Sequence, residues 1–171
     1  MKINDLKRKL KDSTKEDLIK EIVDLYKKNS FVKDYYITKY DDENSISVLI
    51  KYKEIIEDEF LPEYGFGKGR LSVVKKAISD FKKLSQDKTQ VADLMIFYVE
   101  TGVSYTECYG DIDEPFYLSM ESVYERAVKF MFQNSLEKKF RKRCLKIVED
   151  TANMGWGFHD QLSDIYNEYF I

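Results

Sequence analysis

Proline and glycine are scarce, at two and seven of 171 residues. A loop-rich all-β fold needs many more of both to turn its strands, so that class is disfavoured. Cysteine is almost absent. Cys108 and Cys144 lie far apart, and Cys144 falls in a helical pattern, which points to reduced thiols and a reducing compartment. With a single histidine, His159, two distant cysteines cannot supply the spacing of a zinc site. No long apolar run exists; the stretch Met95–Val99 is far too short to span a bilayer. The opening MKINDLKRKL is too charged for a secretion signal. Together these absences imply a cytoplasmic protein with no membrane association. The net charge of −3 is also small, and as a total it points to neither a nucleic-acid nor a membrane-surface protein.

What remains is a chain that is 43% apolar and 35% charged, a folded composition with length enough for one domain and a sizeable core. The dominant period is helical. Ser13 with Glu16 and Thr14 with Asp17 have capping-box spacing, and Leu18, Ile22, Leu25 and Tyr26 then share one face, predicting a helix over 14–28. A shorter helix precedes it on Ile3, Leu6 and Leu10. A third covers 31–40, and a fourth starts near Asn44 and must stop before Pro62. Leu71, Val74, Ile78 and Phe81 define a helix over 70–84. The next carries Val91, Leu94, Met95, Tyr98 and Val99, with Gly102 as its stop and 103–113 as a loop. Pro115 sits at a first helical position, Ser135 is placed to cap the following helix, and Gly155 and Gly157 separate that one from a last helix on Leu162, Ile165, Tyr166 and Tyr169. The reading is a single all-α domain over 1–171: eight or nine helices in stacked antiparallel hairpins, with a HEAT-like or solenoid-like stack as its extended form. Sub-blocks 1–62 and 70–171 are joined by the glycine-rich segment 65–69.

Two patterns extend beyond single helices. LSVVKKAISDF (71–81) parallels LSMESVYERAV (118–128), and LMIFYVETG (94–102) parallels CLKIVEDTA (144–152), the period of a two-helix repeat. Charge alternates in blocks: +4 over 1–40, −6 over 41–64, +5 over 65–91, −8 over 92–125, +7 over 126–146 and −5 over 147–171. Neighbours in an antiparallel stack therefore attract, and pairing register is the expected consequence, since exposed ion pairs add little stability each.

Chemistry has few footholds. In EYGFGKGR (63–70), three glycines stand beside Lys68 and Arg70. The phosphate-cradling loop of the Walker type needs four residues between its first Gly and its Gly-Lys, then Ser or Thr; here the spacing differs and Leu71 follows Arg70. The dinucleotide fingerprint needs a preceding strand. Two readings remain: a corner between helices, or an anion site made by Lys68, Gly69 and Arg70 at a helix start. His159 lies in NMGWGFHD beside Trp156 and Asp160, a cluster that pairs an imidazole with a carboxylate but also reads as a helix start, with Trp156 and Phe158 packing the last helix on the body. Asp111, Asp113 and Glu114 lack the ligand ladder of a calcium loop and read as a helix start. No catalytic residue, metal or cofactor is assigned, and a binding module is favoured over an enzyme.

The pair INDLKRKL and STKEDLIKEIVDLY resembles the two short helices of SAP-type DNA-binding modules, with Lys7, Arg8, Lys9 and Lys11 placed to meet phosphates, although the linking residues 11–14 lack the glycine of that family. Tyr35, Tyr36, Tyr40, Tyr105 and Tyr109 stand partly outside the core stripes, where tyrosine anchors partners. Over nearly its whole length, from the opening LKRKLKDSTKEDLIKEIVDLYKKN to the closing GWGFHDQLSDIYNEYF, the chain resembles a family of uncharacterised all-helical bacterial proteins. That resemblance implies a compact helical fold and carries no activity. The functional expectation is a protein-interaction or scaffolding module with a protein partner. The alternatives are a nucleic-acid accessory protein using the basic N-terminal pair, and a binder of a phosphorylated small molecule at the glycine-rich loop.

Overall fold

The computed structural model describes residues 1–171, and its helices begin where short polar side chains can receive the free backbone amides. Thr14 accepts from Asp17, Asn29 from Phe31 and Val32, Asp41 from Asn44, Asp87 from Thr89 and Gln90, and Asp113 from Phe116. The helices so delimited are α2 (Lys15–Lys28), α3 (Ser30–Tyr40), α4 (Asp42–Phe60), α6 (Lys88–Tyr109) and α7 (Glu114–Gln133). The set is completed by α1 (Ile3–Lys11), α5 (Leu71–Leu84), α8 (Glu137–Asp150) and α9 (Phe158–Phe170), with no strand. The all-helical expectation holds, at nine helices.

Two boundaries differ from the sequence reading. Gly102 does not stop α6, which runs on to Tyr109 and ends at Gly110 with φ of +81°. Gly102 is instead buried, and a Cβ placed there would lie 2.4 Å from the sulfur of Met120. Its missing side chain makes room for α7, and tertiary packing outweighs the low helix propensity of glycine. Ser135 does not cap α8 either; it takes φ of +58° and turns the chain, and Leu136 precedes the first helical residue without a side-chain cap.

Every substantial helix–helix contact joins helices that are neighbours in sequence or next but one, the pattern of a solenoid-like stack. One layer is continuous, with α4 packed on α6 and α6 on α8. The other consists of two separate pairs, α3 with α5 and α7 with α9; α5 and α7 make no substantial contact. The sequence-similar segments fall on α5–α6 and α7–α8. Helix α6 runs through the centre and buries Val91, Leu94, Met95, Tyr98 and Val99 together with Ala92, Ile96 and Val103, so its apolar surface faces neighbours on several sides. Phe60, fully buried, meets Tyr98, Tyr105 and Phe116. The buried hydroxyls are satisfied: Tyr98 bonds Ser119 at 2.7 Å, and Tyr124 donates to the Cys144 carbonyl at 3.0 Å.

Ion pairs close the continuous layer. Lys53 of α4 donates to Asp93 of α6 at 2.8 Å; Arg143 of α8 donates to Asp93 at 2.5 Å and, through two nitrogens, to Glu100 at 2.8 and 2.6 Å. Desolvation alone would push the Asp93 carboxyl up, but the bonds from Lys53 and Arg143 outweigh it and hold Asp93 below the usual carboxylate range. The −8 block thus meets both a lysine of α4 and the +7 block.

Helices α1 and α2 are peripheral, and neither contains a buried residue. Removal of residues 1–13 is expected to change unfolding stability by under about 0.5 kcal/mol, the range of substitutions away from packed features. Phe60→Ala is expected to cost about 3–5 kcal/mol. Denaturant unfolding measures both.

Candidate functional site

The glycine-rich joint, residues 61–70, folds back over the end of α4. The amides of Lys68 and Gly69 donate to the Glu59 carbonyl at 2.8 and 3.0 Å. The Arg70 amide donates to Glu59 Oε1 at 2.8 Å, and the Arg70 guanidinium grips both carboxylate oxygens at 2.8 Å each. A two-pronged, charge-assisted Arg–carboxylate pair of this kind is stronger than a bond between neutral groups. The anion at the start of α5 is therefore the chain's own Glu59, buried at 4% exposure, and Arg70 is committed to it. The hydrogen bond from the Arg70 side chain holds the Glu59 carboxyl below its usual value against the opposing effect of burial. Glycine is required at 67, where a Cβ would sit 1.8 Å from the Phe60 carbonyl oxygen. Lys68 itself is exposed.

His159 is engaged in structure. Its Nδ1 lies 3.0 Å from the Val148 carbonyl and 3.2 Å from Thr151 Oγ1. A carbonyl only accepts, which assigns the Nδ1 proton to the bond that ties the start of α9 to the end of α8. Asp160 is exposed in the first turn of α9. Trp156 does not pack the last helix on the body as its composition implied. It is 62% exposed, on a turn residue with φ of +62°, while Phe158 is fully buried. No major cleft brings Lys68 or Arg70 together with Trp156 or His159.

At the other extremity, Lys7, Arg8, Lys9 and Lys11 are all exposed on α1, where only Arg8 has a carboxylate near, Asp5 at 3.8 Å. The apolar residues of the same helices are exposed as well: Ile3, Leu6, Ile19, Ile22, Val23 and Leu25 range from 41% to 74%. Helix α2 leans on α3 through Tyr26 and Tyr36, whose ring Tyr40 stacks at 5.9 Å. Tyr40 remains 71% exposed, whereas Tyr105 joins the core at Phe60 and Phe116.

Sequence reasoning missed a cleft of about 400 Å³ between α5 and α7. Its walls carry Lys75, Lys82 and Lys83 from α5 and Arg126 from α7. The legible signal was the spacing of 75, 79 and 82, which lines one face of α5. That Arg126 faces the same space follows only from the packing.

The family described as "Family of unknown function (DUF6155)" matches residues 1–170. The chain belongs to that family. No curated protein and no solved structure matches it. Membership in DUF6155 covers every element described above, and no helix is long and apolar enough to cross a membrane.

Because the Glu59 carboxyl is depressed in the folded state, the stability it contributes is present above the ordinary carboxylate range and is lost as pH falls through the lowered value. Acidification through that window is expected to release the Arg70 amide. At neutral pH, Glu59→Gln should raise its hydrogen exchange on the order of tenfold, the loss of one charge-assisted bond. Amide exchange followed by NMR checks both; unchanged protection at Arg70 would show that the clasp does not hold the joint.

Proposed function

We propose that this protein is a protein-interaction module that docks a partner helix on its N-terminal pair, α1–α2. The observation that carries this reading is the combination of two well-formed helices, no buried residue in either, and six large apolar side chains facing out of them. A monomer rarely leaves such an apolar surface uncovered, and helical faces of this kind are covered by a partner's apolar stripe. The charge on α1 favours an acidic partner, with Lys2, Lys7, Arg8, Lys9 and Lys11 around its apolar positions against Asp5 alone, while α2 is balanced by four lysines and four carboxylates. The stack α4–α9 acts as the rigid scaffold, and the placement of the similar segments on α5–α6 and α7–α8 supports a repeat origin for it. The free thiols of exposed Cys108 and buried Cys144 support a reducing compartment such as the cytoplasm.

A photo-crosslinking residue at Ile22 tests the reading in cells. The expected adduct is an acidic amphipathic segment, and the complex rebuilt from the two purified proteins should weaken at least tenfold, about 1.4 kcal/mol, with Ile22→Asp and Leu25→Asp together. Adducts no more abundant than those from a probe at exposed Lys138 would sink it. A duplex-DNA gel shift that vanishes when Lys7, Arg8, Lys9 and Lys11 are neutralised would move the reading to nucleic acid.

A further inference from the structure

The gap between α5 and α7 is the one place where the stack is interrupted, and its charge is of one sign. Lys75, Lys82 and Lys83 face Arg126 across it, and no carboxylate lines it. Several cations elsewhere on the stack are neutralised, Lys51 by Asp34, Lys53 and Arg143 by Asp93, and Arg70 by Glu59, while Lys39 and Arg141 rest on tyrosines instead. In the gap only Lys83 has a partner, Asp80 at 3.2 Å, while Lys75, Lys82 and Arg126 have no carboxylate within 4.0 Å. Desolvation first, then repulsion from Arg126 and Lys88, draws the Lys82 ammonium below the usual lysine range. Its charge lies 5.5 Å from the centre of the Phe130 ring, a weak substitute for an anion. Arg126 is already oriented, because its Nε donates to the Ser122 carbonyl at 2.9 Å and leaves its terminal nitrogens for a ligand. Ser79, on the same wall, has an exposed hydroxyl to offer.

The floor is of a different kind. Ile78, Met95 and Val123 close the bottom of the gap with buried apolar surface. An inorganic anion would satisfy the rim and leave that floor wet. The volume, about 400 Å³, lies within the range of small-molecule sites, roughly 300–1,000 Å³.

We propose that the cleft between α5 and α7 binds a small phosphate ester, its phosphate held by Lys82, Arg126 and Ser79 and its apolar body seated on Ile78, Met95 and Val123. The recognition is electrostatic at the rim and hydrophobic at the floor, so both parts of the ligand are needed. A soluble ester and the headgroup of an anionic lipid share this phosphate chemistry, and the titration below separates the two. The site is independent of α1–α2, so its failure leaves the docking surface untouched.

The full chain is titrated with adenosine diphosphate, 1-naphthyl phosphate, pyrophosphate, adenosine and anionic phospholipid vesicles by calorimetry, with the Met95 and Ile78 methyl signals followed by NMR. At least one ester is expected to saturate, shift both methyls and bind more tightly than pyrophosphate, with adenosine inert. Lys82→Met and Arg126→Met should each weaken it by about tenfold or more, the loss of one charge-assisted bond. Lys82→Gln serves if the methionine variant fails to fold. The double change Lys138→Gln and Lys142→Gln, which alters net charge away from the cleft, should leave affinity within about twofold. Equal weakening by that control pair would reduce the binding to unspecific charge and overturn the proposal. So would methyl signals unmoved by every phosphate, or binding confined to anionic phospholipid vesicles.

Discussion

The stack rests on the layer α4–α6–α8, where apolar burial and opposite charge act in the same place. Helix α6 lies between the other two with apolar residues turned toward several neighbours, and the chain Lys53–Asp93–Arg143–Glu100 runs along the seam. Burial supplies the drive, because it scales with the area removed from water. The ions supply the register. A shifted α8 would leave Asp93 and Glu100 partly desolvated without Arg143, and that penalty is larger than what the pairs contribute when made. The remaining helices, α1 excepted, pack on this layer or on each other.

The second layer shows what happens when the same two forces oppose each other. Helices α3 and α5 pack, as do α7 and α9, but α5 and α7 present like charge across a gap with an apolar floor. Repulsion among Lys82, Arg126 and Lys88 works against closing a gap that the floor alone would favour closing. Within α3–α9, α5 with α7 is the one next-but-one pair that makes no substantial contact, and like charge opposes its closing.

The joints between helices are held by hydrogen bonds that look inward. Glu59 satisfies three successive backbone amides and one guanidinium, which is why the α4–α5 corner needs arginine at 70, while the Phe60 carbonyl pressed against residue 67 requires glycine there. His159 performs a similar service at the α8–α9 corner through its bond to Val148. The residues that looked most chemical in the letters, Arg70 and His159, are those the fold employs at its turns. The side chains that face solvent unpaired, Lys75, Lys82 and Arg126, sit mid-helix in segments that read as ordinary amphipathic helix.

Much of the architecture was legible because helical period and capping are local. Thr14, Asp113 and Pro115 mark helix starts by chemistry that acts within one turn, and the apolar spacing of 71–81 or 117–131 needs no partner to be seen. Gly102 misled because its role depends on Met120, eighteen positions away, and Trp156 misled because a large aromatic ring is buried only if a neighbour covers it. By itself the sequence determined the all-helical class, the alternation of charge and the amphipathic faces, all properties of residues within a few positions of one another. Only the tertiary structure decided which charges are neutralised and which are left facing a cleft, because Coulomb energy depends on separation in space and on local desolvation, and packing alone sets both.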